Sequence, residues 1–304
     1  EFFGEATRML NDKEPVFIEE KYDNHGKWMD GWESKRRRDG GNDWAIIKLG
    51  SPGVISEVEV DTSFFTGNFP PFFSLEGTNS KEIPTNENEW VSLITKSSLI
   101  GDQKNNFNIK TNVIVNYVRL QIFPDGGVAR LRLFGEVKYD WSKFKNNELI
   151  ELSSINLGGS IITFNNAHYG DVSALLSKGR GKTMGDGWET RRRREPGNDW
   201  IIIKLAKKAI VKNIEIDTAH FKGNFPDQAS IQATSYSEIA NVENIIKNSE
   251  KWDFILKKTK LKADSVHKFS LDLNSQKEAT HIKLNIYPDG GISRLRIFGI
   301  RSDD

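Results

Sequence analysis

Apolar and polar residues alternate with a period of two along much of this chain. Val58, Val60 and Thr62 alternate with Glu57, Glu59 and Asp61, and Val118, Leu120 and Ile122 alternate with Tyr117, Arg119 and Gln121. Ile214, Ile216 and Thr218 repeat the first scheme, and Ile282, Leu284 and Ile286 repeat the second. This spacing predicts antiparallel strands with one buried and one wet face. Trp44–Leu49 and Trp200–Leu205 are instead continuous, β-branched apolar runs, which predict strands buried on both faces. Pro124-Asp125-Gly126-Gly127 and Pro288-Asp289-Gly290-Gly291 are turn sequences: Pro sets one φ and Gly supplies positive φ. They are expected to join Tyr117–Phe123 to Arg130–Phe134 as a hairpin, and likewise in the later segment. Short helical pieces are expected at Glu5–Leu10, Asp171–Leu176 and Val242–Lys247. Many short strands and little helix predict an all-β chain of two β-sandwiches.

The same pattern occurs twice, and polar residues repeat along with apolar ones. Asp30-Gly31-Trp32-Glu33 returns as Asp186-Gly187-Trp188-Glu189, and Gly67-Asn68-Phe69-Pro70 returns as Gly223-Asn224-Phe225-Pro226. Arg130-Leu131-Arg132 returns as Arg294-Leu295-Arg296. A core needs only volume and polarity to be preserved, so repetition of Asp, Glu, Asn, Arg and Trp points to preserved surface chemistry. Trp32 to Trp188 and Asp61 to Asp217 span the same interval, while Trp90 to Trp252 and Asp125 to Asp289 span slightly longer ones. Insertions therefore fall between rigid segments, as loops do around strands. The interval is that of a duplicated domain, far above a solenoid repeat. Residues 1–140 and 157–304 form the two expected domains, with 141–156 as the connection. Leu157–Phe164 has no counterpart before Glu1, so the first copy lacks an opening strand and the chain reads as trimmed. The first copy carries about ten extra residues between Leu10 and Met29, an insertion of the tolerated kind.

Composition narrows the classes. Of 304 residues, 43 are Lys or Arg and 42 are Asp or Glu. That balance argues against nucleic acid or an anionic membrane as the main partner. The Arg36–Arg38 and Arg191–Arg194 runs accompany no nucleic-acid motif. Their side chains are expected partly in solvent and partly paired with Glu33, Glu189 or the Asp residues that follow. There is no cysteine, which rules out disulfides and thiolate metal sites and fits a reducing compartment. No apolar run approaches the roughly 20 residues that span a bilayer. The histidines show no metal-ligand spacing, and no cofactor is expected; a carboxylate-bound divalent ion is compatible with the sequence but not signalled by it.

Four groups could carry chemistry. Strand alternation places Leu131 and Leu133 inward and Arg130 and Arg132 on the other face, about 7 Å apart. Such a pair could clamp a carboxylate bidentately, as could Arg294 and Arg296; the plain alternative is a solvated strand face with ordinary ion pairs. Glu33 and Glu189, beside Trp32 and Trp188, could accept urea-like N–H groups or act as general acid or base if desolvated. They could equally brace the arginines. Asp61 and Asp217 end a strand and lead to Asn68 and Asn224, in loops that could contact a ligand or be braced by Asx hydrogen bonds. The copies differ at Phe64 against His220, so His220 could donate a proton in the second copy alone, or simply pack.

These linked motifs, in order and twice over nearly the whole chain, resemble the allantoicase family. The resemblance implies a tandem jelly-roll fold related to galactose-binding domains. It also implies hydrolysis of allantoate to ureidoglycolate and urea in purine breakdown. The expected catalytic residues are then Glu33, Glu189, Asp61, Asp217 and His220. Arg130, Arg132, Arg294, Arg296, Asn68 and Asn224 are expected to bind allantoate. A cytoplasmic homo-oligomer is expected, with peroxisomal targeting left open. A noncatalytic carbohydrate-binding tandem is the alternative, because a sandwich does not by itself imply an enzyme.

Overall fold

A computed structural model describes residues 2–236, 241–271 and 278–302. The chain divides into Glu1–Tyr139 and Asp140–Asp304. The first unit runs β1 (Phe2–Gly4), β2 (Tyr22–Asp23), β3 (Gly26–Lys27), β4 (Trp32–Ser34), β5 (Asp43–Asp61) and β6 (Phe72–Thr78). It continues with β7 (Val91–Ser98), β8 (Lys104–Asn108), β9 (Val115–Phe123), β10 (Gly127–Val128) and β11 (Arg130–Val137). The long strand β5 belongs to two sheets. Its first half, Asp43–Lys48, pairs with β9, which leads on to β6 and β7. After a register break between Lys48 and Gly53, its second half lies between β8 and β11. Val58, Val60 and Leu131 from one sheet and Phe73, Leu75, Leu120 and Ile122 from the other bury together as one core. Both faces of a β-sandwich are thus built on one bent strand.

This arrangement corrects one expectation. Pro124–Gly127 does not close a hairpin, because β9 and β11 pair with opposite halves of β5 rather than with each other. The turn carries the chain from one sheet to the other, and its Gly127 and Val128 pair with β4. Turn chemistry was legible, but its destination depended on the bend in β5.

The second unit repeats the plan with β12 (Ile150–Glu151), β13 (Ser160–Phe164), β14 (Trp188–Glu189), β15 (Asp199–Asp217) and β16 (Gln228–Thr234). It ends with α1 (Val242–Ser249), β17 (Asp253–Lys260), β18 (Val266–Ser270), β19 (Glu278–Tyr287), β20 (Gly291–Ile292) and β21 (Arg294–Arg301). Strand β15 bends as β5 does, pairing with β19 early and with β21 and β18 late. The expected helices at 5–10 and 171–176 are 3₁₀ turns, Ala6–Leu10 and Val172–Leu176. The stretch assigned to a connection contributes to the second unit, since Ile150–Glu151 pairs with β21 and Leu152 is buried.

The two apolar runs differ. Ile201, Ile202 and Ile203 are all fully buried. Strand β13 pairs with that half of β15, and Trp252 and Ile245 pack over Ile202. Among the described residues β13 has no counterpart in the first unit, where Ala45 and Ile47 are only partly buried and Trp44 is 58% exposed. Burial on both faces therefore holds for the second run and not for the first.

Candidate active site

The repeated arginines act first as internal pins. Strand alternation does put Leu131 in the core, but the face carrying Arg130 is covered by the Ala6–Leu10 turn and the loop after it. Arg130 is fully buried. Its Nε donates to the Lys13 carbonyl at 2.7 Å, and one Nη to the Asp30 and Ala129 carbonyls. The other Nη pairs with Asp30 Oδ2 at 2.7 Å. Arg294 repeats the arrangement with the carbonyls of Gly179, Asp186 and Ser293 and with the Asp186 carboxylate at 3.0 Å. Arg132 reaches Glu14 and Glu59, and Arg296 reaches Glu151 and Glu215. The expectation of two exposed guanidiniums clamping a substrate carboxylate is corrected: protein carbonyls and carboxylates already occupy them. Their aspartates accept a further backbone N–H each, from Val16 and from Lys182. In both units the pin therefore fixes the loop that precedes the Asp-Gly-Trp-Glu segment.

That segment sets the next layer. Gly31 passes so close to β10 that an added Cβ would lie 2.5 Å from the Val128 carbonyl oxygen, so no larger residue fits. Trp32 is buried in the core, and alternation turns Glu33 to the opposite side. Asn68 stands across from it, in the loop between β5 and β6, which is tied down by the Gly127 N–H donating to the Asn68 carbonyl at 2.8 Å. Asn68 Nδ2 donates to Glu33 Oε1 at 2.6 Å. Glu189 and Asn224 form the same pair in the second unit. The structure thus joins two predicted pairs of residues that lie well apart in sequence. Burial pushes the Glu33 carboxyl up from its ordinary value, the Asn68 hydrogen bond pulls it back, and the Asp23 carboxylate raises it further.

Above the Glu33–Asn68 pair lies a cavity of about 620 Å³, lined also by Phe3, Phe17, His25, Lys27, Met29, Phe64, Thr66 and Asp102. Four of these, Phe17, His25, Lys27 and Met29, come from the extra loop of the first copy or its edge. On the other side a cavity of about 310 Å³ shares Phe3, Glu33 and Asn68 and adds Arg36, Arg37 and Asp125. Glu33 therefore stands where two openings meet, with a cationic side chain lining each.

Asp61 and Asp217 serve the turn below. Asp61 Oδ1 accepts from the Ser63 N–H and Asp217 Oδ1 from the Ala219 N–H, both at 2.8 Å, and both aspartates are buried. These are the Asx braces that the sequence offered as the alternative. The next residues, Phe64 and His220, both sit at φ 70°, in the left-handed region. Their N–H groups donate to Asp102 and Asp264. This pins a conformation that non-glycine residues rarely adopt. Phe64 stacks on Phe17 of the extra loop at 5.6 Å. His220 instead places Nε2 2.7 Å from the Gly181 carbonyl of the shorter loop. Its donor is engaged there, so the structure gives it a loop-holding place rather than a proton-donating one.

Sequence reasoning missed the participation of His25, Lys27 and Asp102. For His25 and Lys27 the signal was the extra loop itself, not repetition: a duplicated domain that grows only at one site boundary has changed what covers that site. Among the described residues no group of three or more His, Asp or Glu is placed to hold a metal ion, and no helix is long and apolar enough to cross a membrane.

Comparison with known proteins now bears on this geometry. A family model described as the allantoicase repeat matches residues 1–138 and 150–302. A Rhizobium meliloti (strain 1021) protein named "Probable allantoicase" is 48% identical over 306 residues, covering 100% of this chain and 89% of its own. A protein of the same name from Acinetobacter baylyi is 45% identical over 299 residues, covering 98% and 89%. The crystal structure of allantoicase from Saccharomyces cerevisiae superposes with a TM-score of 0.80 at 30% identity, covering 98% of this chain and 88% of that one. With the family model matched in both copies and relatives aligned over nearly all of this chain, it belongs to the allantoicase family.

Proposed function

We propose that this chain hydrolyses allantoate to ureidoglycolate and urea, and that the first unit carries the reaction at Glu33. Family membership supports the reaction. One observation supports the place: Glu33 is a carboxyl with a raised pKa at the meeting point of two cavities, and the extra loop covers it in the first unit. Allantoate carries a carboxylate and two ureido groups on one carbon. Water adds to that carbon as one C–N bond breaks, and the departing nitrogen takes up a proton to leave as urea. A protonated Glu33 suits the role of donor, because burial keeps a larger share of it neutral near working pH. Asn68 orients the carboxyl through Oε1. Lys27 and Arg36, one lining each cavity, replace Arg130, Arg132, Arg294 and Arg296 as the groups that hold the substrate carboxylate. Asp102 holds Phe64 in place, and His25 faces the same space as an acceptor for water. Glu189 and Asn224 keep the pair in the second unit, where His220 and the shorter loop hold a different cover.

Self-association belongs to the same proposal. A solution mass of one chain would remove that part. The reaction is tested by urea release from allantoate, with and without EDTA. Release supports the hydrolase and its EDTA response reports a metal requirement; no release under either condition overturns it.

A further inference from the structure

The two copies use one repeated arginine differently. In the first unit Arg37 is saturated. Its Nε and one Nη donate to both oxygens of Asp39 at 2.9 and 2.7 Å, and the other Nη reaches Asp43 Oδ1 at 2.9 Å and the Asn42 carbonyl. Asp39 can fold back onto Arg37 because Gly40 follows it at φ 75°. In the second unit the corresponding residues are Arg193, Glu195 and Pro196. Proline is locked near φ −65° and cannot make that left-handed step. Glu195 is exposed, and Arg193 Nε, though buried, has no hydrogen-bond partner among the described residues. Its nearest carboxylate oxygen is Asp199 Oδ1 at 3.8 Å, beyond hydrogen-bond reach.

Asp199 is equally unfinished. Its side chain is 4% exposed. Asn165 Nδ2 donates to Oδ1 at 3.0 Å, which orients the carboxylate, and Oδ2 accepts nothing among the described residues. Both groups line a polar cavity of about 280 Å³ that also receives Asn166 and the neighbouring arginines. A buried guanidinium edge and a buried carboxylate oxygen each cost free energy while unpaired. One ligand chemistry satisfies both: a carboxylate for Arg193 and an N–H for Asp199 Oδ2.

We propose that this cavity of the second unit binds a small carboxylate that also bears an amide or ureido N–H, at a site separate from Glu33. The inference stands on the second unit alone and does not require the first unit to be catalytic.

The probe is N-carbamoylglycine, titrated calorimetrically into the full chain, with acetate and urea as the two halves. The informative variant is Glu195→Asp/Pro196→Gly, which restores the Asp-Gly sequence that lets the first copy fill its own arginine. It removes no buried group, so folding is preserved. The Glu33 site would take the probe as well, so the expected result is a second binding event that this double variant weakens at least about tenfold, equivalent to about 1.4 kcal/mol. Glu33→Gln should leave that binding in place, and acetate or urea alone should bind at least about tenfold more weakly. Arg193→Met, checked for an unchanged melting transition, should also lose it. The proposal is overturned if the probe does not bind, if the double variant binds like the parent, or if acetate binds equally well. It is overturned too if Glu33→Gln alone abolishes binding, which would place the ligand in the first unit. Loss of urea release in Glu33→Gln with this binding intact would support both readings separately.

Discussion

Asn68, in the loop between β5 and β6, lies 2.6 Å from Glu33 of β4, and their hydrogen bond limits how far burial raises the Glu33 pKa. The bond favours the charged form, while desolvation and Asp23 favour the neutral one. If neutral Glu33 donates the proton to departing urea, activity falls as pH rises through its pKa. Asn68→Ala removes the lowering influence, so the alkaline limb of kcat/KM should move to higher pH. Asp23→Asn removes a raising influence and should move it lower. A pH–rate profile that is unchanged in both variants would remove Glu33 from the proton-transfer step.

Arg130 and Arg294 should matter for stability before they matter for substrate. Truncating either leaves a carboxylate and several carbonyls without their donor. Breaking a buried pair by removing one partner costs about 3–5 kcal/mol. Arg130→Ala and Arg294→Ala should therefore lower the denaturant midpoint strongly. Variants that keep the parent midpoint but lose carboxylate binding would restore the clamp.

Phe17 is the contact between the extra loop and Phe64. Phe17→Ala should loosen the cavity cover, at a cost of about 0.5–1.5 kcal/mol for the lost ring pair beyond area burial. Steady-state kinetics should show this chiefly as a higher KM for allantoate. The equivalent place in the second unit is held by His220, so His220→Phe should leave KM unchanged.

His281 offers a pH test of the fold. Desolvation, aided by the Lys204 charge, lowers its pKa from 6.5 to about 4. The native state therefore holds it neutral while the unfolded chain protonates it at higher pH. Stability from this group is present above about pH 6.5 and is lost as pH falls toward 4. His281→Gln should flatten the fall in urea midpoint across that window. An equal slope in parent and variant would show that other groups govern it.

Much of the fold was legible because alternation marks a sheet face directly. Val58, Val60, Leu131, Leu284 and Ile286 are buried as their spacing predicts, but the face of β19 expected to be wet is buried too, with His281, Lys283 and Asn285. What alternation could not supply was which sheet each strand joins. The bend in β5 and the transfer of Pro124–Gly127 between sheets depend on pairing across long separations. The site shows the same division. Glu33 and Asn68 stood out as repeated polar residues, and so did the arginines. Whether Arg130 faces solvent or a covering loop is a tertiary matter, and there the repeated sequence preserved a pin. His25 and Lys27 were hidden because they occur in one copy only, where repetition gives no signal.

The most direct test compares urea release from allantoate by the parent, Glu33→Gln and Glu189→Gln proteins, each shown to melt like the parent. The account expects Glu33→Gln to lose about 10²-fold or more, the usual worth of a general acid, and Glu189→Gln to retain the parent rate. Full activity in Glu33→Gln, or loss in Glu189→Gln alone, would contradict a site in the first unit.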